Sequence, residues 1–259
     1  MNKFDFFLSY SRDVSQLLIN SFVQCCDHCN IKIWRDIDFI TAGSSIVSTF
    51  DEILGNIKNT YGAIVLLDET YLEKTWCKKE LSFFLQNKVN MYLFCYNYPL
   101  ENIFLKEAAL ASFNIVCVNE EDLTNGYLIT ATILMHFFIT QPKINLDINK
   151  IYQKDKCLYE IWQDFCASCD YTSGIIKAHA ISDWILYNIF HRTVICKINN
   201  PINKNAFVKN ANLPGIIKII FAYLDLEYNA LFNNSKQISR QEYICVHQCT
   251  MFLIDWFLI

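Results

Sequence analysis

Thr75-Trp76-Cys77-Lys78-Lys79-Glu80-Leu81 is the stretch whose reading decides how the first half of this chain folds. It follows Ala63-Ile64-Val65-Leu66-Leu67, an unbroken apolar run of the kind that a strand buried on both faces requires. The heptapeptide opens a helix in which Trp76 and Glu80, four residues apart, lie on one face a single turn from each other. A carboxylate beside an indole, just past the end of a strand, suits a site that grips a flat ring and stabilises a cation. The same spacing also fits a core tryptophan followed by a solvated glutamate, so the flanking sequence has to separate the two readings.

Upstream, Phe4 to Tyr10 reads as a first strand, and Asp13 and Gln16 are spaced as a capping box for a helix carrying Leu17, Leu18, Phe22 and Cys25. Ile31 to Trp34 is a second short strand. Arg35 to Gly43 is a loop with Asp36, Asp38 and Phe39, and a helix with Ile46, Phe50, Ile53, Leu54 and Ile57 on its inner face follows. The third strand runs from Tyr61 to Leu67. Downstream, Asn90 to Tyr96 and Phe113 to Val118 are further strands, separated by a short helix between Pro99 and Ser112, and a helix from Glu120 to Thr140 closes the series. Five strand–helix alternations predict an α/β fold with a parallel sheet covered on both faces. Ligands in such folds bind outside the carboxyl ends of the strands, where strand order switches. Tyr10, the 35–43 loop and Glu80 all fall just after strand ends, so three segments converge on one edge.

Gln141 to Asn149 breaks the pattern. We expect a first domain over 1–141, a linker over 142–149 and a small all-helical domain over 150–259. Helical stripes in the last domain include Leu158, Ile161, Trp162, Phe165 and Cys166, then Ile181, Ile185 and Ile189. Lys197 to Pro214, rich in Asn and holding two prolines, reads as a long loop. Gly215 to Phe232 reads as a central apolar helix, and Ser239 with Glu242 forms a capping box for the last one.

Composition narrows the function. The 259 residues are 53% apolar and 19% charged, with a net charge of -4, which argues against direct nucleic-acid binding because phosphate neutralisation needs a basic surface. Met1-Asn2-Lys3 leads straight into an alternating strand without the apolar core of a secretory signal, and no run reaches the ~18–20 apolar residues of a membrane span. The expectation is a cytoplasmic protein whose 12 cysteines are reduced thiols. Two C-x-x-C pairs, Cys26/Cys29 and Cys166/Cys169, fall in helical patterns with no second pair nearby, so no metal site is expected. Six glycines leave no phosphate-binding loop and there is no Gly-x-Ser-x-Gly elbow. What remains is Glu80 in aromatic and polar company. One carboxylate suffices where the transition state is a ribosyl oxocarbenium ion and the leaving group departs neutral.

In order along the chain, Phe4-Asp5-Phe6-Phe7-Leu8-Ser9-Tyr10-Ser11, Trp34-Arg35-Asp36 through Gly43, and Trp76-Cys77-Lys78-Lys79-Glu80-Leu81 resemble the first box, the BB loop and the W-C-x-x-E-L signature of TIR (Toll/interleukin-1 receptor) domains, over the first ~140 residues. The resemblance implies a flavodoxin-like five-stranded sheet and, as in NAD-cleaving members, a catalytic role for Glu80. It implies that Tyr10, Ser11, Arg12 and Trp76 border the substrate and that Asp36 and Gly43 gate it. It also implies self-assembly through the TIR domain. Ala42-Gly43 replaces the Pro-Gly of receptor-type members, and Asp68 stands where many members carry Ser. The expected activity is cleavage of the nicotinamide–ribose bond of NAD+, a substrate and not a cofactor, to ADP-ribose or a cyclic product in antiviral defence or cell-death signalling. Residues 150–259 are expected to meet a partner protein or effector. The alternative is a non-enzymatic TIR–TIR scaffold or a host-signalling effector.

Overall fold

Five strands pair in the order β2-β1-β3-β4-β5, all parallel. They are β1 (Phe6–Tyr10), β2 (Ile33–Trp34), β3 (Gly62–Leu67), β4 (Met91–Tyr96) and β5 (Ile115–Val118). The structure is a computed structural model and describes residues 5–35, 55, 57, 60–125, 127–140, 144, 146–190, 201–232 and 239–259. Parallel neighbours cannot be joined by hairpins, so helices carry the chain across the sheet faces: α1 (Gln16–His28), α2 (Thr75–Gln86) and α3 (Leu100–Lys106), with α4 (Glu120–Asn125) following the last strand. The expected helix across residues 44–57 lies outside the described residues, apart from Gly55 and a buried Ile57.

Burial on both faces explains the near-continuous apolar strands, and alternation within β1 assigns the faces. Phe7 stacks on Trp34 at 5.0 Å and meets Phe84 of α2 edge-on at 5.7 Å, in a cluster that also holds Val65, Leu67 and Leu81. Phe6 points the other way, edge-on to Tyr92 at 5.3 Å. The sheet begins β3 at Gly62, whose φ of +141° L side chains rarely adopt; a Cβ there would also sit 2.2 Å from the backbone oxygen of Asn90.

Three local expectations fail. Leu17 is exposed, and the buried stripe of α1 is Leu18, Ile19, Phe22 and Cys26. The Asp13/Gln16 box does not form. Ser15 occupies the N-cap with no side-chain cap bond, while Asp13 pairs with Lys74 at 2.7 Å, so the carboxylate serves a contact distant in sequence. The segment expected as one helix over 120–140 is two, α4 and α5 (Tyr127–Thr140).

The chain divides into compact units at 1–129 and 130–259, a division that falls inside α5. The second unit is helical: α6 (Ile148–Lys154), α7 (Lys156–Cys166), α8 (Tyr171–Phe190), α9 (Pro201–Asn210), α10 (Gly215–Phe232) and α11 (Arg240–Leu258). Asp147 caps α6, Asp155 caps α7 through the amide of Leu158, and the Ser239/Glu242 capping box opens α11 as the sequence suggests. Helix α10 is buried along most of its length, from Ile216 to Leu224. The expected 197–214 loop contains α9 instead. Pro201 sits at its first position, where the missing amide costs nothing. Its anchor is Lys204, a buried ammonium 2.5 Å from Asp183 of α8 and 2.7 Å from Asp225 of α10. His179 of α8 lies 2.9 Å from the same Asp225 oxygen and stacks on Tyr228 at 3.9 Å. Among the described residues, no helix is long and apolar enough to cross a membrane.

Candidate active site

The alternation that sends Phe7 toward α2 sends Ser9 and Ser11 there too, and both are fully buried. A buried hydroxyl must find a partner. Ser9 Oγ lies 2.6 Å from the Tyr71 hydroxyl and donates a short hydrogen bond to Glu80 Oε2. Tyr71 comes from the single turn of 3₁₀ helix (Tyr71–Glu73) after β3, and Glu80 from the second turn of α2, its residue only 9% exposed. Three segments, each following or closing a central strand, therefore meet at the carboxyl edge of the sheet, where strand order reverses between β1 and β3.

The donors fix a direction. A serine hydroxyl has one proton, and Ser9 spends it on Glu80. The bond between Tyr71 and Ser9 must then be donated by Tyr71. Tyr71 keeps that proton, because complete burial, reinforced by the neighbouring Glu80 charge, pushes its phenol well above the ordinary tyrosine value. The wire runs Tyr71 O–H to Ser9 O–H to the Glu80 carboxylate. A second wire lies beside it. Thr70 Oγ1 donates to Asp68 Oδ2 at 3.0 Å, so the 2.6 Å bond between Ser11 and Thr70 is donated by Ser11, whose oxygen accepts from the Asp13 amide at 3.2 Å. The other Asp68 oxygen, Oδ1, is buried with no hydrogen-bond partner among the described residues.

Of the residues singled out from the sequence, Glu80 and Ser11 lie in these wires. Trp76 stands a turn before Glu80, 40% exposed, with the Lys79 ammonium 4.4 Å from its ring centre. Arg12 follows β1 on the surface. Tyr10 is buried, and alternation turns its ring to the face opposite Glu80; its backbone carbonyl accepts from Cys77 Sγ at 3.6 Å. Asp36 and Gly43 lie outside the described residues. Ser9, Thr70 and Tyr71 are additions from the structure. The one sequence signal for Ser9 is its parity with Phe7, a polar residue on the apolar face of a buried strand. The described cysteines form no disulfide. Among the described residues, no group of three or more His, Cys, Asp or Glu is placed to hold a metal.

An ionised carboxylate offers about four lone-pair sites, one of which accepts from Ser9. Its negative charge, nearly desolvated, acts strongly on any cation that develops beside it.

Comparison with known proteins bears on the same segments. No curated protein is significantly similar to the chain. The TIR domain family model matches residues 3–92, which span β1, β3, Tyr71, all of α2 and the start of β4. The chain therefore carries a TIR domain over the matched residues 3–92, within a five-stranded parallel sheet that is followed by a helical region.

Proposed function

We propose that this protein cleaves the nicotinamide–ribose bond of NAD+. The observation that carries this reading is Glu80: a nearly buried carboxylate, held from the protein side by Ser9, at the switch point of a TIR-domain sheet. The bond between the ribose anomeric carbon and the pyridinium nitrogen breaks heterolytically. Its electron pair returns to the ring, so nicotinamide departs neutral and needs no general acid. Glu80 accepts the ribose hydroxyls and stabilises the oxocarbenium ion left behind. Trp76, half-exposed one turn away, offers a ring face to the departing nicotinamide. Water adding to the cation, with loss of a proton, gives ADP-ribose; attack by an adenine nitrogen gives a cyclic product. Ser11 and Arg12 border the substrate in this reading, and Asp36 and Gly43 gate it.

The same reading makes the protein a cytoplasmic element of antiviral defence or cell-death signalling. It assembles through its TIR domain, and the helical unit receives a partner. The test is chromatography of NAD+ incubated with the purified full chain at high protein concentration, beside the Glu80→Ala variant. Nicotinamide release by the parent and its loss in the variant is the expected outcome. Intact NAD+ with the parent, or undiminished release by the variant, overturns the proposal.

A further inference from the structure

We propose that Ser9 and Tyr71 are positioning residues for Glu80, a hydroxyl wire that presents one orientation of the carboxylate and keeps it ionised for the reaction. This rests on the proposed cleavage only for its consequence in catalysis; the wire itself is a matter of geometry.

Four observations carry it. Ser9 is buried at the end of a central strand, where a hydroxyl is costly unless bonded, and both its partners are side chains from elsewhere in the fold, 62 and 71 residues away. Tyr71 is wholly buried, and Ser9 is the partner its hydroxyl finds. The donor inventory allows one direction while Glu80 is ionised, with every proton of the wire pointing toward Oε2. A neutral carboxyl would still accept the Ser9 proton at its carbonyl oxygen, but more weakly than the carboxylate does. The wire therefore favours the charged form of Glu80. A chain of aligned hydroxyls also polarises cooperatively, so Tyr71, through its own bond to Ser9, strengthens the Ser9 bond to the carboxylate. Among the described residues, the charges acting on the Tyr71 end of the wire include Glu80 itself, Cys77 on α2 and Asp68 after β3, and a Lys74–Asp13 ion pair lies at the surface.

The wire explains why a serine is needed at position 9. Alanine fits the space but removes the Ser9 hydrogen bond to Glu80 Oε2. Threonine keeps the hydroxyl, and its extra methyl suits a strand. Phenylalanine at position 71 keeps the ring and removes only the far end of the wire.

The test uses the full chain with selectively 13C-labelled glutamate, following the Glu80 carboxyl resonance, identified by its absence in Glu80→Gln, as pH is varied. In Ser9→Ala the titration midpoint moves up by about one pH unit or more, as follows from removing a donor to the charged form. In Tyr71→Phe it moves the same way by less, and in Ser9→Thr it returns toward the parent. An unchanged midpoint in Ser9→Ala, with the sheet intact by circular dichroism, overturns the proposal whether or not the protein cleaves NAD+. The kinetic arm is read on NAD+. Ser9→Ala lowers kcat ten-fold or more with KM within about two-fold, as expected when a group positions the reacting charge and not the bound substrate. The acidic limb of its rate profile moves with the carboxyl titration. A fall in kcat with an unmoved acidic limb marks Ser9 as merely structural and also overturns the wire. Absence of cleavage by the parent refutes the proposed function alone, and the carboxyl titration then decides the wire by itself.

Discussion

Replacing Lys204 with Met should loosen the helical unit by a predictable amount. The ammonium is buried, bridges Asp183 and Asp225, and is one of the polar links from α9 to its neighbours α8 and α10. Methionine preserves most of the apolar stem, so packing changes little and the loss is electrostatic. Removing one partner of a buried pair costs about 3–5 kcal/mol, because a charge is left buried without its counterion. Two features of this site place the cost at the lower end. Asp183 is half-exposed, so water screens it, and Asp225 keeps the hydrogen bond from His179. We expect a loss of about 3 kcal/mol, which for a unit of this size lowers Tm by about 10 °C. Scanning calorimetry of the full chain reads this in the transition that Lys204→Met shifts. The pH dependence has a defined sign. Burial alone would raise the Asp225 carboxyl, but hydrogen bonds from His179 and Lys204, and the lysine's charge, hold it below the ordinary carboxylate value. A depressed carboxylate contributes stability above its unfolded pKa of about 3.9 and loses it as pH falls through the folded value. The gap between parent and Lys204→Met should therefore narrow below about pH 4. Adding Asp225→Asn to Lys204→Met should restore part of the loss. A cost under about 1 kcal/mol, or no recovery from Asp225→Asn, would refute the reasoning.

Further predictions concern other parts of the molecule. Gly62→Ala meets the Asn90 backbone and a φ of +141°, neither of which a side-chain shift relieves, so soluble yield should collapse or chemical denaturation should show a loss above about 3 kcal/mol. Ser239→Ala removes one arm of the capping box on α11 and should cost about 1 kcal/mol by the same denaturation assay. Trp76→Ala should leave stability within about 1 kcal/mol, since the ring is half-exposed and its contact with Lys79 is a surface cation–π pair, while KM for NAD+ rises.

The sheet was legible because β1, β3 and β4 must be apolar on both faces, and the segments between them carry helical periodicity. Each strand begins within two residues of where the apolar runs suggest, Phe4 against Phe6, Tyr61 against Gly62, Asn90 against Met91. The spacing of Trp76 and Glu80 set them one turn apart on a helix, as in α2, but by itself fitted a core tryptophan and a solvated glutamate as well. The hydroxyl wires were not, because the direction a serine faces follows from strand parity, but its partner depends on which distant turn the crossover brings beneath it. Tyr71 looked like any residue after a strand, and complete burial is what makes its hydroxyl informative. Tyr10 shows the converse: its place after the strand drew it toward the site, whereas parity turns its ring away. Helix α9 escaped because Pro-Ile-Asn-Lys-Asn-Ala-Phe-Val-Lys-Asn has weak periodicity and poor helix formers. Its stability comes from tertiary anchoring at Lys204, which no local pattern reveals.

Cleavage of NAD+ by parent and Glu80→Gln proteins, compared side by side at the same concentration, bears most directly on the role given to Glu80. Glutamine keeps the size of the side chain and an oxygen for Ser9, and removes only the charge. Nicotinamide release by the parent with a loss of at least about 100-fold in the variant is the predicted result. Equal rates in the two proteins, or intact NAD+ in both, would contradict it.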